Sequence, residues 1–252
     1  MFAGISLRIL VGCVCVLGLL SPSRAATRQC DPASFKIAID VGHTPEATGA
    51  LSARGTTEYD FNTHLVEVIT STLVKAGFGH TTNINVHGTG RDQLAKRTDD
   101  ANRQLPNLLL SIHHDDTQKT FHSKWIVAGV SRDYSDYATG FSIFVSSKNA
   151  QFPESLKFAK LLGAAFRDQG MAFSPHHAAD IAGERKQLID ASLGVYLYDD
   201  LYVLRHSLAP AVLLEAGVIT NREDELRLGS NEGRHKIADN ILHAINAFCE
   251  AK

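Results

Sequence analysis

Short apolar runs alternate with longer segments of helical periodicity from Phe35 onward. The apolar runs predict strands at 35–41, 83–86, 107–113, 140–146, 201–206 and 210–217. Apolar residues spaced three and four apart predict helices at 58–77, 92–104, 153–170 and 231–251. This alternation is typical of a mainly parallel sheet covered by helices. We therefore predict an α/β fold with a mixed, mainly parallel sheet of about six strands.

Two polar segments interrupt the alternation. Residues 115–139 contain the one tryptophan, Trp125, and are predicted to be irregular, while residues 171–190 carry His176 and His177 and are predicted to leave the sheet. Long segments of this kind in compact domains are commonly lids or spacers. No repeat, low-complexity tract or linker divides the chain, so we predict one domain over residues 27–252.

The first 26 residues are typical of a secretory signal peptide. Arg8 precedes an apolar stretch at 9–20, and small residues suited to cleavage follow, ending at Ala25 and Ala26. The apolar stretch is shorter than the roughly 18 residues that a membrane-spanning helix needs. We therefore expect an exported protein, in the periplasm, without stable insertion in a membrane.

Four cysteines divide between the signal peptide and the remaining chain. Cys13 and Cys15 fall in the signal peptide, whereas Cys30 and Cys249 lie near opposite ends of the mature chain. Exported proteins fold in oxidising compartments, and the termini of compact domains often lie close together. A disulfide between Cys30 and Cys249 is the prediction, and two unpaired thiols are the alternative.

The composition excludes some partners. The chain has 252 residues, of which 44% are hydrophobic and 21% charged, as in ordinary globular proteins. The net charge of -2, without a long run of one sign, argues against a nucleic-acid partner, which would require concentrated lysine and arginine. We expect a monomer.

Three predicted strands lead directly into reactive side chains: His43, His113 and Glu215. Ligands of open α/β sheets bind beyond the carboxyl ends of the strands. Two histidines and one carboxylate form a common zinc set that leaves the fourth position open, and Glu58, which begins the first long helix, is the natural third ligand. Glu215 ends an apolar strand, and burial there should raise its pKa toward values useful for a general base.

Each residue also has a simpler interpretation. The chain has 12 histidines, most of which need have no ligand role, and Glu58 could stabilise a helix N-terminus through the helix dipole. Glu215 could be a buried ion-pair partner of Arg97 or Arg205. The joint placement at strand ends favours a metal site, although spacing alone does not decide the matter.

The segment "LLLSIHHDD" offers two adjacent histidines at the end of one strand. Neighbouring residues on a strand point to opposite faces, so His113 and His114 cannot readily present both rings to one metal. We expect one ligand from this segment. The other histidine, Asp115 and Asp116 are then expected to support the site, to line its rim or to face solvent.

Four blocks in order resemble the zinc-dependent N-acetylmuramoyl-L-alanine amidases of the amidase-3 type. The blocks are "IAIDVGHTPEATGA", "TTEYDFN", "LAKRTDDAN" followed by "LLLSIHHDD", and "YVLRHSLAPAVLLEAGVITNREDE". The resemblance extends from residue 35 to the C-terminus. It implies an amidase-3-like fold with one Zn²⁺, and the residues that it assigns to the site are His43, Glu58 and His113 as ligands and Glu215 as the catalytic glutamate.

The resemblance selects His113 over His114 as the ligand, leaving His114 beside the site. It gives Arg97 and Asn102 supporting, structural roles. The chain departs from the family pattern at Thr44 and Pro45, where glycines usually follow the first histidine. It departs again after "EAG", where a phenylalanine is common. These differences touch no implied ligand but could reshape the groove.

The implied activity is hydrolysis of the amide between the lactyl group of N-acetylmuramic acid and the L-alanine of the stem peptide. Peptidoglycan or a soluble muropeptide would be the substrate, in wall remodelling or daughter-cell separation. Segments 115–139 and 171–190 look longer than the family minimum, and in some members an inserted plug is removed by an activator protein. Two alternatives stay open: a non-catalytic peptidoglycan-binding or regulatory homologue, and an exported zinc hydrolase of another peptide or amide.

Overall fold

A computed structural model describes Met1 and residues 30–250 of the chain. The predicted signal peptide lies outside the described residues, apart from Met1. No helix among the residues described is both long enough and apolar enough to cross a membrane.

The described chain contains nine strands and six α-helices. The strands are β1 (Ile37–Val41), β2 (Thr81–Ile84), β3 (Leu108–Asp115), β4 (Ser123–Val127), β5 (Val130–Tyr134), β6 (Ser142–Val145), β7 (Gln187–Asp190), β8 (Val195–Leu197) and β9 (Ala211–Val218). The helices are α1 (Glu58–Lys75), α2 (Gly90–Arg103), α3 (Phe152–Asp168), α4 (Tyr202–His206), α5 (Arg222–Gly229) and α6 (Asn231–Glu250).

Seven strands form one sheet in the order β2-β1-β3-β9-β6-β8-β7. The pairs β1–β2, β1–β3, β3–β9 and β6–β8 are parallel, whereas β6–β9 and β7–β8 are antiparallel. The predicted α/β fold with a mixed, mainly parallel sheet is confirmed, with seven strands where about six were expected. Strands β1, β3 and β9 are parallel neighbours, so their carboxyl ends meet at one edge of the sheet.

The two faces of the sheet are covered by different helices. Leu108, Leu110 and Ile112 of β3 belong to the larger apolar cluster, which also contains buried residues of α1, α3 and α6. Leu109 faces the opposite way, into a smaller cluster with Val203 of α4. Side chains of β3 therefore alternate between two cores, which is why the strand reads as a continuous apolar run.

Three sequence predictions were wrong, and one of them is the departure of residues 171–190 from the sheet, because Gln187–Asp190 returns to it as strand β7. Residues 201–206 form no strand, because Tyr202–His206 is the short helix α4, whose adjacent residues Val203 and Leu204 are both buried. A six-residue apolar run does not separate a strand from a short buried helix by periodicity. Residues 115–139 are not irregular throughout either, because they contain the antiparallel hairpin β4–β5.

The β4–β5 hairpin packs against the loop that leads from β1 to α1. The Trp125 indole N–H donates to the Ala53 carbonyl at 2.9 Å, and the Arg54 guanidinium lies 5.1 Å from the centre of the Trp125 ring. Trp125 thus ties the hairpin to this loop.

A disulfide joins Cys30 to Cys249, as predicted, with a Cα–Cα distance of 5.0 Å across 219 residues of sequence. It ties the segment before β1 to the end of α6. Closing so long a loop restricts the unfolded chain and thereby stabilises the fold.

We predict that replacing both Cys30 and Cys249 by serine lowers the free energy of unfolding by about 2–4 kcal/mol, because the unfolded chain regains loop entropy. Denaturant unfolding of the mature chain measures this. Reductant should lower the midpoint of the wild type and leave that of the double variant unchanged. Equal midpoints for the oxidised wild type and the variant would contradict the account.

Candidate metal centre and active site

Glu58 occupies the first position of α1, directly after the helix N-cap. The Thr57 hydroxyl caps the helix by accepting from the Asp60 backbone N–H at 3.1 Å. This cap fixes where α1 begins, beside the carboxyl ends of β1 and β3. The Glu58 side chain points into that space and is 6% exposed.

The Glu58 carboxylate lies between two histidines. Its Oε2 is 2.8 Å from His43 Nε2, and its Oε1 is 3.0 Å from His113 Nδ1. Backbone N–H groups of Ala50 and His114 also donate to this carboxylate, at 3.1 and 3.3 Å. Burial alone would raise the pKa of Glu58, but the hydrogen bonds from His113 and His43 outweigh burial and hold that pKa well below its usual range.

His43 follows β1 and Gly42 with a left-handed backbone, at φ 69°. A residue with a side chain adopts this conformation only when its surroundings hold it there. Arg97 of α2 donates one guanidinium N–H to the His43 carbonyl and another to the Asp40 carboxylate, 3.3 Å from Oδ2. Ser111 Oγ donates to the same Asp40 oxygen at 2.6 Å, so the turn that presents His43 rests on a buried polar network.

His113 and His114 point to opposite sides of β3, as the strand geometry predicts. His113 faces Glu58, whereas the His114 ring is buried against α1, with Nδ1 2.7 Å from the Asn62 Oδ1. Burial lowers the pKa of His114 to about 3, so its ring is neutral at neutral pH. Asn62 in turn donates to the Gly42 carbonyl at 3.0 Å. His114 is therefore beside the site rather than in it.

Two glycines allow the close approach of these groups. A Cβ on Gly42 would come within 2.6 Å of His113 Cε1, and one on Gly49 within 2.3 Å of a Glu58 oxygen and 2.7 Å of His43 Nε2. All three distances are shorter than non-bonded atoms allow. Any side chain at Gly49 would occupy the space next to the donor atoms.

The donor set of His43, Glu58 and His113 fits a metal ion. Their ligand atoms all lie within 4.8 Å of one another, and two imidazole nitrogens with one carboxylate oxygen are a set that zinc commonly takes in enzymes. In catalytic zinc sites, three protein ligands leave the fourth position for water or substrate. His43 and His113 also line a cavity of about 200 Å³, with Leu201 and Leu213 among its apolar walls.

Glu215 lies on β9, next to β3, where it is the register partner of His113. Its Oε2 is buried and accepts no hydrogen bond from any residue that the structure describes. Burial raises the pKa of Glu215 well above its usual range, and the negative charges of Asp115 and Glu58 raise it further. The position of Glu215 at the end of an apolar strand predicts this rise in its pKa.

The alternative interpretation of Glu215 as an ion-pair partner is not supported. Arg97 pairs with Asp40, and within residues 30–250 no ion pair joins Glu215 to Arg97 or Arg205. A buried carboxyl group without a cationic partner is a common property of catalytic acids and bases.

Several supporting contacts were not found from sequence. Asn62 lies one turn after Glu58 on the same face of α1, and that spacing was the available signal. Asp40 was not recognised because it is hidden inside an apolar strand. Asn102, expected to be structural, contacts the backbone of residues 206 and 208 and stays away from the site.

The chain is similar to known proteins over almost its whole length. It is 25% identical over 247 residues to the uncharacterized protein YqiI of Bacillus subtilis, covering 96% of this chain and 98% of that protein. Its fold matches the N-acetylmuramyl-L-alanine amidase Ami1 of Mycobacterium smegmatis with a TM-score of 0.67 at 21% identity, covering 88% and 100% of the two chains. It also matches the CwlD amidase of Clostridioides difficile, solved in complex with the GerS lipoprotein, with a TM-score of 0.60 at 19% identity, covering 85% and 98%.

A sequence profile for a whole family covers the region that contains every site residue above. The profile of Amidase_3, described as N-acetylmuramoyl-L-alanine amidase, matches residues 37–247. The match includes β1, α1, β3 and β9, the four elements that bring His43, Glu58, His113 and Glu215 together. The chain therefore belongs to the Amidase_3 family of N-acetylmuramoyl-L-alanine amidases.

Proposed function

We propose that this protein is a zinc-dependent N-acetylmuramoyl-L-alanine amidase that cleaves the amide between the lactyl group of N-acetylmuramic acid and the L-alanine of the stem peptide. One observation carries the proposal. Glu58 joins His43 and His113 into a compact donor set, and Glu215 is aligned with His113 on the neighbouring strand. Membership of the family supports the reaction class.

In this proposal His43, Glu58 and His113 hold one zinc ion. When bound, zinc polarises the amide carbonyl and lowers the pKa of a water molecule toward roughly 7. Arg97 positions His43 through its backbone carbonyl, and Asn62 holds the backbone of Gly42 and the His114 ring. These contacts keep the donor atoms in place and reduce the reorganisation that binding costs.

Glu215 transfers the proton. Its raised pKa suits a group that must both accept and release a proton near neutral pH, and its Oε2 has no competing partner among the described residues. Glu215 takes a proton from the attacking water as the oxygen bonds to the carbonyl carbon. It then delivers that proton to the L-alanine nitrogen as the carbon–nitrogen bond breaks.

The proposal places the protein outside the cytoplasm, in the periplasm. Its support is the Cys30–Cys249 disulfide, a bond that persists in oxidising compartments, together with the signal-peptide pattern at residues 1–26. Peptidoglycan, the family's substrate, lies in the same compartment.

An activator protein is a further part of the proposal. The CwlD relative was solved with a lipoprotein partner, and here the β4–β5 hairpin packs on the loop before Glu58. Full activity of the purified chain on its own would contradict the need for an activator.

The purified mature chain, residues 27–252, should release stem peptides with a free N-terminal L-alanine from peptidoglycan, slowly on its own and faster once an activator protein is added. A chelator should stop the release, and added zinc should restore it, because the donor set would lose and regain its ion. Mass spectrometry of the soluble products measures this. Absence of product with zinc and candidate activators present would favour a non-catalytic wall-binding protein, and cleavage of other peptides alone would favour a different amide hydrolase.

Replacing Glu215 by glutamine should lower turnover by about 10²–10⁴-fold, because the amide cannot take up the proton, while the zinc content stays at the wild-type value. Steady-state kinetics and elemental analysis of the same preparation measure both quantities. Loss of zinc in this variant would show that Glu215 is a ligand instead of the proton carrier.

The two adjacent histidines form a matched pair for testing the ligand assignment. His113→Ala should remove the zinc of this centre, because one of its three protein ligands is lost. His114→Ala should keep that zinc and lower the free energy of unfolding by about 1–3 kcal/mol, since it leaves the buried Oδ1 of Asn62 without its hydrogen-bond partner. Zinc titration and denaturant unfolding measure the two effects, and the opposite pattern would assign the ligand to His114.

A further inference from the structure

A second cluster of metal-ligand side chains lies apart from the His43, Glu58 and His113 donor set. Asp115, at the end of β3, meets His176 and His177 from a short helical turn at His176–Ala178. All three residues are buried, at 7%, 5% and 8% exposure, and their ligand atoms lie within 4.8 Å of one another.

The Nε2 atoms of both histidines point toward one carboxylate oxygen, Asp115 Oδ2. Asp115 Oδ2 is 2.8 Å from His177 Nε2 and 3.4 Å from His176 Nε2. His176 Nε2 is buried and has no hydrogen-bond partner among the residues described. A polar nitrogen left in this state costs free energy, so the cluster is incomplete as a set of hydrogen bonds alone.

The far side of each imidazole ring is held by another residue. His177 Nδ1 lies 3.0 Å from Glu184 Oε2, and His176 Nδ1 lies 2.8 Å from Ser174 Oγ. Metal-binding histidines typically have their second nitrogen bonded in this way, which sets the tautomer and turns the free nitrogen toward the ion. Ser174 and Glu184 thus orient both Nε2 atoms toward Asp115.

The surroundings favour positive charge. The His177 ring lies between two carboxylates, with Nε2 2.8 Å from Asp115 Oδ2 and Nδ1 3.0 Å from Glu184 Oε2. The ring of Phe144 packs 4.9 Å from that of His177 and that of Tyr196 5.6 Å from it, so the cluster has an apolar wall. A divalent cation would take the place of the proton between His177 and Asp115.

We propose that Asp115, His176 and His177 form a second zinc site. Two imidazoles and a carboxylate are ligand types that zinc takes, and these three protein ligands leave the fourth position for a water molecule. The ion fastens the segment 171–190 to the end of β3. It does so close to Glu215, which experiences the Asp115 charge.

Zinc counting tests the proposal. The full mature chain is stripped with a chelator, loaded with excess Zn²⁺, desalted and measured by elemental analysis. The wild type should retain two zinc ions per chain, and His176→Gln should retain one. His122→Gln is the matched control and should retain two, because the His122 ring bonds to Asp116, outside the cluster.

His113→Ala separates the two sites without altering the second one. It should keep one zinc ion, and adding His176→Gln should remove that ion. Circular dichroism confirms that each variant is folded, and if His176→Gln fails to fold, the ion count of His113→Ala alone decides. The proposal is overturned if the wild type holds one zinc ion per chain and His113→Ala holds none. It is also overturned if folded His176→Gln retains two zinc ions. If the wild type holds one zinc ion that is kept in His113→Ala and lost in His176→Gln, the result supports the site at Asp115, His176 and His177. It then counts against the site at His43, Glu58 and His113.

Discussion

The buried charge of Glu58 is the constraint on which the site depends. A carboxylate removed from water needs partners for its charge and its oxygen atoms, and Glu58 finds them in His43, His113 and two backbone N–H groups. These partners come from the loop between β1 and α1 and from the strand β3. Because one carboxylate joins all of these elements, the folded chain holds the donor atoms together before any ion binds.

The parallel sheet explains how residues far apart in sequence reach one place. Strands β1, β3 and β9 are parallel neighbours, so His43, His113 and Glu215 emerge at the same edge. The close packing has a backbone requirement as well. His43 takes a left-handed conformation that Arg97 supports from α2, and Gly49 leaves the space beside the donor atoms free. A network of side chains outside the donor set thus determines the positions within it.

The sequence predicted the meeting of His43, Glu58 and His113 because apolar strands that end in polar groups identify the edge of an α/β sheet. Their role as ligands stays a prediction. Elements with little periodic signal were missed, since α4, the edge strand β7 and its neighbour β8 have only three to five residues each. Contacts that depend on tertiary packing, such as His114 with Asn62, could not be derived from local pattern.

We propose that His43, Glu58 and His113 form a zinc centre with Glu215 beside it. Crystals of the zinc-loaded mature chain, measured on both sides of the zinc absorption edge, test it directly. The account predicts an anomalous peak bonded to His43, Glu58 and His113, with the Glu215 carboxyl group facing the open coordination position. Anomalous density elsewhere, with none at these three side chains, would contradict it.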